Sequence, residues 1–336
     1  MTTFHKNPRL SVLNLAPVRQ GATVKDALEQ SLALARHVEQ LGYNRFWVAE
    51  HHNMEGIASS ATSVLIGHIA ENTSSIRVGS GGIMLPNHPP LAIAEQFGTL
   101  STLFPDRIDL GLGRAPGTDQ LTAQALRRHG QDGNDFPELV NELQQYFHPT
   151  ATGPRVKAVP GEGEDVPIWL LGSSGFSAQL AGQLGLPFAF AGHFSPKNTI
   201  PALNVYYDSF RPSNVLDDPY AMVAINAIAG ETNEEAQYLA SSLYQQFLSM
   251  IRNRRGKLAP PVEDMDQLWS PHEKEMVMEQ LGGSFIGDAA TLKEELLAFA
   301  EKTGVNELML HTNLYDPEKQ KQSFDSIAKA FQLTRE

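Results

Sequence analysis

The feature that most constrains this chain is a supersecondary period without any repeat of sequence. A short aliphatic or β-branched run, a polar turn and ten or more residues of helical spacing recur eight times along 336 residues. The apolar runs are Leu10 to Leu15, Phe46 to Glu50, Ile76 to Gly79, Ile108 to Leu112, Ile168 to Leu171, Phe188 to Ala191, Ala221 to Ile228 and Glu307 to His311. Helical spacing follows near Val24 to Leu41, Ser59 to Glu71, Pro90 to Phe104, Pro137 to Phe147, Ser174 to Leu184, Thr199 to Phe210, Glu234 to Ile251 and Pro317 to Phe331. The first helix carries signals at both ends, with Thr23 to cap it and Gly42 where a left-handed residue is wanted. Eight such units of about forty residues predict a (β/α)8 TIM barrel, because parallel strands joined by right-handed helical crossovers leave few other closures. An open doubly wound sheet is the alternative. Its glycine fingerprint is missing, since the first strand leads into Ala16-Pro17-Val18-Arg19-Gln20-Gly21. Residues 1 to 336 therefore read as a single barrel domain with loop excursions at Gly153 to Asp165 and Arg252 to Gly283.

Composition then narrows the function. Twenty-six Lys and Arg against thirty-eight Asp and Glu give a net charge of −12, which repels phosphate backbones and anionic lipid. The expectation is a small-molecule substrate, with no nucleic acid and no membrane as partner. The absence of cysteine removes disulfides, iron–sulfur clusters, thiolate nucleophiles and cysteine zinc sites. No G-x-S-x-G elbow, H-E-x-x-H helix or P-loop lysine occurs. The opening residues MTTFHKNPRL lack the apolar core of a signal peptide, and no run of eighteen apolar residues appears, so a cytoplasmic location is the default expectation.

Four places collect residues suited to chemistry, each at a strand end, where a barrel builds its active site. Glu50, His51 and His52 end the second strand. Neighbouring strand residues face opposite ways, so Glu50 and His52 can share a face, whereas His51 and His52 are poorly placed to ligate one ion. The run Val78 to Pro86 holds three glycines in four residues; it marks a bulge or a place where a ligand or another backbone comes close. Arg114, within Gly111 to Gly117, suits a phosphate or carboxylate, or a salt bridge to an acidic neighbour. Gly172 to Ser177 opens a helix with two adjacent serines, where free amides and the helix dipole can hold an anion; Ser174 as an ordinary N-cap is the plainer reading. His37, His68, His129 and His148 read as surface or core residues, while His311 ends the last strand and is kept as a further candidate. Together these features describe a phosphate pocket beside a pocket for a flat ring.

With those residues set out, the chain closely resembles the bacterial luciferase-like monooxygenases from Leu10 to about Leu333. The likeness lies in Phe46 to His52, in Val78 to Pro86 followed by His88-Pro89 and Ala94-Glu95, in Arg107 to Arg114, and in the Ser173-Ser174 turn with Gln183 to Pro187 behind it. Phe285 to Asp288 before a helix, then Glu307 to Leu310, is similar to the family's last unit. The resemblance implies FMN, taken up reduced from a separate flavin reductase, reacting with dioxygen to oxidise a small organic substrate, and a homodimeric assembly. It implies that Arg114, Ser174 and Ser177 hold the FMN phosphate with the backbone of Ser173. It further implies a cis peptide bond between Gly81 and Gly82 beneath the isoalloxazine, and His51 as the base beside the flavin. Two positions depart from the luciferases: Gly113 stands where they carry a reactive cysteine, so light emission is not implied, and Ser173 stands where they carry a glutamate, which bears on the detail of the phosphate and ribose contacts and not on the site. A reduced deazaflavin used for hydride transfer, or a flavin-binding protein without catalysis, are the other readings.

Overall fold

Apolar runs bounded by turn residues pair here as parallel strands, covered by the helices that follow them. The computed structural model describes residues 7–115, 118–126, 133–150, 153, 155–254 and 256–334. Its strands are β1 (Arg9–Asn14), β2 (Arg45–Val48), β3 (Arg77–Ser80), β4 (Ile83–Met84), β5 (Ile108–Gly113), β6 (Ile168–Gly172), β7 (Phe188–Phe190), β8 (Ala221–Gly230), β9 (Phe285–Asp288) and β10 (Glu307–His311). Its helices are α1 (Val24–Gln40), α2 (Thr62–Glu71), α3 (Pro90–Leu103), α4 (Gln120–Ala125), α5 (Phe136–Phe147), α6 (Gly175–Leu184), α7 (Thr199–Ser209), α8 (Asn233–Ile251), α9 (Pro271–Gln280), α10 (Ala289–Thr303) and α11 (Pro317–Phe331). Strands β1, β2, β3, β5, β6, β7, β8 and β10 are parallel neighbours in that order, and β10 pairs with both β8 and β1. The sheet is therefore a closed eight-stranded barrel, as the period predicts.

Both faces of these strands are buried, which is why they read as continuous apolar runs. On β2, Phe46 and Val48 pack outward against the helices, while Trp47 turns inward with Leu13, Trp169, Met222, Ala224 and Met309. The Trp47 and Trp169 rings meet edge to face at 5.3 Å and fill the barrel interior. Below them, at the N-terminal ends of the strands, Arg45 Nη1 lies 2.7 Å from Asp109 and Arg45 Nε 3.1 Å from Glu307. Arg77 Nη2, 2.6 Å from Asp109, and the Tyr220 hydroxyl, 2.9 Å from Glu307, complete this charged floor. The buried carboxylates thus have several donors each, the condition for keeping charge inside a core.

The departures from the sequence reading have local causes. Strand β8 runs two residues past Ile228, to Gly230, because β9 pairs with Ala227 to Gly230 outside the barrel. With α10, β9 forms an additional strand–helix pair between the seventh and eighth barrel strands. The expected loop excursion Arg252 to Gly283 instead carries a 3-10 turn, Met265–Gln267, and the helix α9, started by a Ser270/Glu273 capping box. Val277 is the sole buried residue on α9 among the described residues, so the helix has no apolar stripe to read. Helix α2 starts at Thr62 rather than Ser59, because the Ser59 and Thr62 hydroxyls both donate to the Ala49 carbonyl and tie this segment to the end of β2. Among the described residues no helix is long and apolar enough to cross a membrane.

Candidate active site

The C-terminal mouth of the barrel is organised around one buried carboxylate. Glu50, the second residue beyond β2, is 1% exposed. Its oxygens accept from His52 Nε2 at 2.8 Å, Asn87 Nδ2 at 3.1 Å, the Met84 amide at 2.9 Å and His88 Nε2 at 2.9 Å. Burial pushes the carboxyl up, but the bonds and charge from His88, then the bonds from His52 and Asn87, hold it below its ordinary range. Glu50 and His52 do meet, but β2 ends at Val48, short of the strand end expected at Glu50 to His52, so the contact is made in the loop and not by strand alternation. His52 is thereby turned to the carboxylate, while the His51 amide donates to the Ser59 carbonyl at 2.9 Å.

Across the mouth stand His193, beyond β7, and His311, at the end of β10. Their rings lie 5.6 Å apart, and His51 is close enough to act electrostatically on both. Burial, His311 and His51 hold His193 down to about 3; burial and His51 hold His311 down to about 4. The neighbours that act on these two rings are other imidazoles, backbone and the uncharged Asn226 amide, with no carboxylate among them, so both are neutral at neutral pH. Among the described residues no group of three His, Cys, Asp or Glu side chains is arranged to hold a metal ion.

The glycine run between β3 and β4 lies beside the Glu50 node, with the Glu50 amide donating to the Gly82 carbonyl at 3.2 Å. The Gly81–Gly82 peptide bond is cis. Its bareness serves the protein's own strands: a Cβ on Gly82 would come within 2.7 Å of the Gly111 carbonyl oxygen. Close approach of another backbone, one of the readings that the sequence left open, is seen here.

Arg114 follows β5, and its guanidinium stacks 4.3 Å from the centre of the Phe176 ring in the first turn of α6. Among the described residues Arg114 makes no ion pair, so the salt-bridge reading finds no acid there. Ser174 occupies the N-cap position of α6 in extended conformation, yet its side chain makes no capping bond. The ordinary N-cap reading therefore fails, and the first amides of α6 have no side-chain partner from Ser174. Ser177 is buried against Gly172, and the Ser173 carbonyl accepts from Ser195 Oγ at 3.1 Å. Strand order puts β2, β3, β5 and β6 side by side, so His51, Gly81, Gly82, Arg114, Ser173, Ser174 and Ser177 all lie along one arc of the mouth.

The remaining expected residues fall elsewhere. His37 pairs with Asp325 at 2.9 Å, His68 is exposed, and His148 is exposed 3.3 Å from Asp165. His129, with Pro116 and Gly117 of the Arg114 segment, lies outside the described residues. The sequence reading missed Asn87, His88, Phe176, His193 and Asn226 as parts of the mouth. His193 was within reach of the same strand-end rule that selected His51; Asn226, inside β8, and Asn87 and Phe176 carry no pattern of their own.

A closed parallel barrel with its polar residues gathered at the strand ends, an arginine without an ion pair among the described residues beside a helix start that lacks a side-chain cap, and an acid-anchored histidine rim define a (β/α)8 barrel whose candidate site lies at the C-terminal mouth. The family follows from comparison: the luciferase-like monooxygenase model matches residues 9–307, and the chain belongs to that family. Protein YvbT of Bacillus subtilis (strain 168) is 60% identical over 324 residues, covering 96% of each chain. A luciferase-like monooxygenase of Escherichia coli (strain K12) is 51% identical, covering 95% of this chain and 96% of its own. The N-acetyl-S-alkylcysteine monooxygenase of B. subtilis is 31% identical, covering 96% and 98%. Among solved structures, apo-MsnO8 superposes with a TM-score of 0.92 at 34% identity, covering 98% of this chain and 99% of that one. The fold alone is shared with the oxygenating constituent of a Pseudomonas putida 3,6-diketocamphane monooxygenase in complex with FMN (TM-score 0.74, 17% identity, covering 97% and 98%). It is likewise shared with an F420-dependent secondary alcohol dehydrogenase (TM-score 0.72, 15% identity, covering 97% and 99%).

Proposed function

We propose that this protein is an FMN-dependent monooxygenase that takes reduced FMN from a separate flavin reductase and uses dioxygen to oxidise a small organic substrate. The observation that carries the reading is Arg114: a cation without a carboxylate partner among the described residues, in a chain of net charge −12, set on Phe176 at the uncapped start of α6. That donor set fits a phosphate, since the guanidinium fork and the first helical amides all donate. Arg114 and the amides from Ser173 to Ser177 would hold the FMN phosphate, with Ser174 and Ser177 adding hydroxyls. The Gly81–Gly82 segment would lie beneath the isoalloxazine.

When bound, reduced FMN supplies the electrons that activate dioxygen. The chain's own residues do the rest. Glu50 fixes His52 and His88 and so the rim from which His51 reaches the mouth, where His51 takes or returns a proton. Trp47 and Trp169 close the barrel beneath it and keep water from entering below. The relationship to the N-acetyl-S-alkylcysteine monooxygenase favours oxygen insertion over hydride transfer.

Two measurements test the reading. Free reduced FMN consumes dioxygen unaided, so purified protein should change the rate at which chemically reduced FMN does so, and should bind FMN more tightly than riboflavin. Arg114→Ala should weaken FMN binding about ten- to a hundredfold, the value of one charge-assisted hydrogen bond of about 1.5–3 kcal/mol, and leave riboflavin binding unchanged. Equal loss for both ligands would assign Arg114 a structural role. Binding of a reduced deazaflavin in preference to FMN, with no oxygen uptake, would replace this reading by hydride transfer.

A further inference from the structure

Asn226, the sixth of the ten residues of β8, lies opposite His311 at the end of β10 in the parallel register of the barrel. Its amide nitrogen is 2.8 Å from the His193 carbonyl oxygen and 3.1 Å from Ser284 Oγ, and its amide oxygen is 3.1 Å from His311 Nδ1. A backbone carbonyl has lone pairs and no hydrogen, so the side of Asn226 facing it must be the NH2. The oxygen then faces His311, and an amide oxygen can only accept. His311 Nδ1 must therefore carry the hydrogen. In a neutral imidazole the other nitrogen is then a bare acceptor. His311 Nε2 has no hydrogen-bond partner among the described residues.

We propose that Asn226 is a positioning residue that locks His311 in its Nδ1–H tautomer, and that His311 Nε2 is a specificity-determining acceptor for an uncharged N–H or O–H donor on the organic substrate. The inference rests on the barrel mouth being the place where the substrate is oxidised. The groups facing His311 are His51 from the β2 rim, His193 from beyond β7, Asn226 from β8 and, through Asn226, Ser284 before β9. None is a carboxylate that would favour an imidazolium, and burial disfavours the charge further. A neutral acceptor repels the lone pairs of a carboxylate or sulfonate. It rewards an amide, an alcohol or an amine that brings a hydrogen, and a site built on such a bond rejects analogues lacking it far more strongly than an apolar pocket does.

The test uses the full chain without flavin, labelled with 15N-histidine and read by long-range proton–nitrogen correlation; the spectrum of His311→Gln identifies the His311 signals. In the wild type at pH 7, Nδ1 is expected as the protonated nitrogen and Nε2 as the bare one, with no titration until the pH approaches about 4. Asn226→Leu should leave the two tautomers mixed. Asn226→Asp keeps an acceptor oxygen and adds charge, so Nδ1–H persists and the titration midpoint rises by about one to three pH units; this variant carries the test if the leucine variant does not fold. N-methylacetamide, which has one N–H, should shift the Nε2 signal, and N,N-dimethylacetamide, which has none, should leave it in place. A wild-type His311 protonated at Nε2 overturns the lock. Equal responses to the two amides, or no response to either, overturn the acceptor role. Because no flavin is present, these results stand apart from the FMN titrations of Arg114→Ala, which can fail on their own.

Discussion

Replacing Glu50 by alanine removes one carboxylate and strands four donors at once: His52 Nε2, His88 Nε2, Asn87 Nδ2 and the Met84 amide. Taking one partner out of a buried, hydrogen-bonded charge cluster costs about 3–5 kcal/mol, because the groups left behind keep their desolvation penalty. The His52 and His88 side chains are 18% and 28% exposed and regain water in part, which places the cost toward the lower end of that range. At about 2.1 cal/mol/K per residue, unfolding 336 residues carries roughly 0.7 kcal/mol/K, so a cost of about 3–4 kcal/mol should lower the midpoint by about 4–6 °C. Glu50→Gln retains an acceptor for the Met84 amide and loses the charge, and is expected to cost about half as much. The dependence on pH follows from the sign of the shift. Glu50 is held below its ordinary range, so its contribution is present above about pH 4.5 and is lost as the pH falls through the folded value. The difference between wild type and Glu50→Ala therefore shrinks on acidification. Scanning calorimetry from pH 7 downward measures both quantities. A Glu50→Ala protein melting with the wild type at pH 7, or a difference that grows as the pH falls, would refute the role given to this node.

Three further outcomes follow from the site. His51→Ala is expected to slow substrate oxidation by about a hundred- to ten-thousandfold while FMN affinity is kept, whereas His52→Ala acts mainly on stability through Glu50; stopped-flow oxidation of bound reduced FMN compares the two, and wild-type kinetics in His51→Ala would remove the assignment. Phe176→Ala releases the Arg114 guanidinium and should weaken FMN binding two- to fivefold, the value of an exposed cation–π contact of about 0.5–1 kcal/mol, with Phe176→Trp restoring it and riboflavin unaffected in fluorescence titrations. His193 and His311, held down to about 3 and about 4, bind protons in the unfolded chain from about pH 6.5; each therefore withdraws roughly 1.4 kcal/mol of stability per pH unit between about 6.5 and its folded value, and His311→Gln should flatten the fall seen in urea titrations across that window.

Sequence by itself determined the barrel. Period, strand count and the capped first helix are local properties, since side-chain alternation and helical spacing are written into neighbouring residues; the Thr23 cap and the positive φ of Gly42 appear where the chain signals them. It also located the rim, because the end of a strand can be read to within a few residues once the strand is known, and Glu50 and His52 meet just beyond β2. Tertiary structure alone decided the partners. Glu50 draws in Asn87 and His88, more than thirty residues away, and His311 draws in Asn226 across 85 residues, contacts fixed by the closing of the barrel. Arg114 and Phe176 show the same limit: nothing in either segment signals the other, and only the adjacency of β5 and β6 brings the cation onto the ring. The helix α9 was hidden for a related reason, since an element that buries one residue leaves no periodic trace, and β9, which pairs outside the barrel, was marked by resemblance and not by the period. Pattern reports which face of an element is buried, whereas contacts between distant polar groups depend on the distances that closure sets.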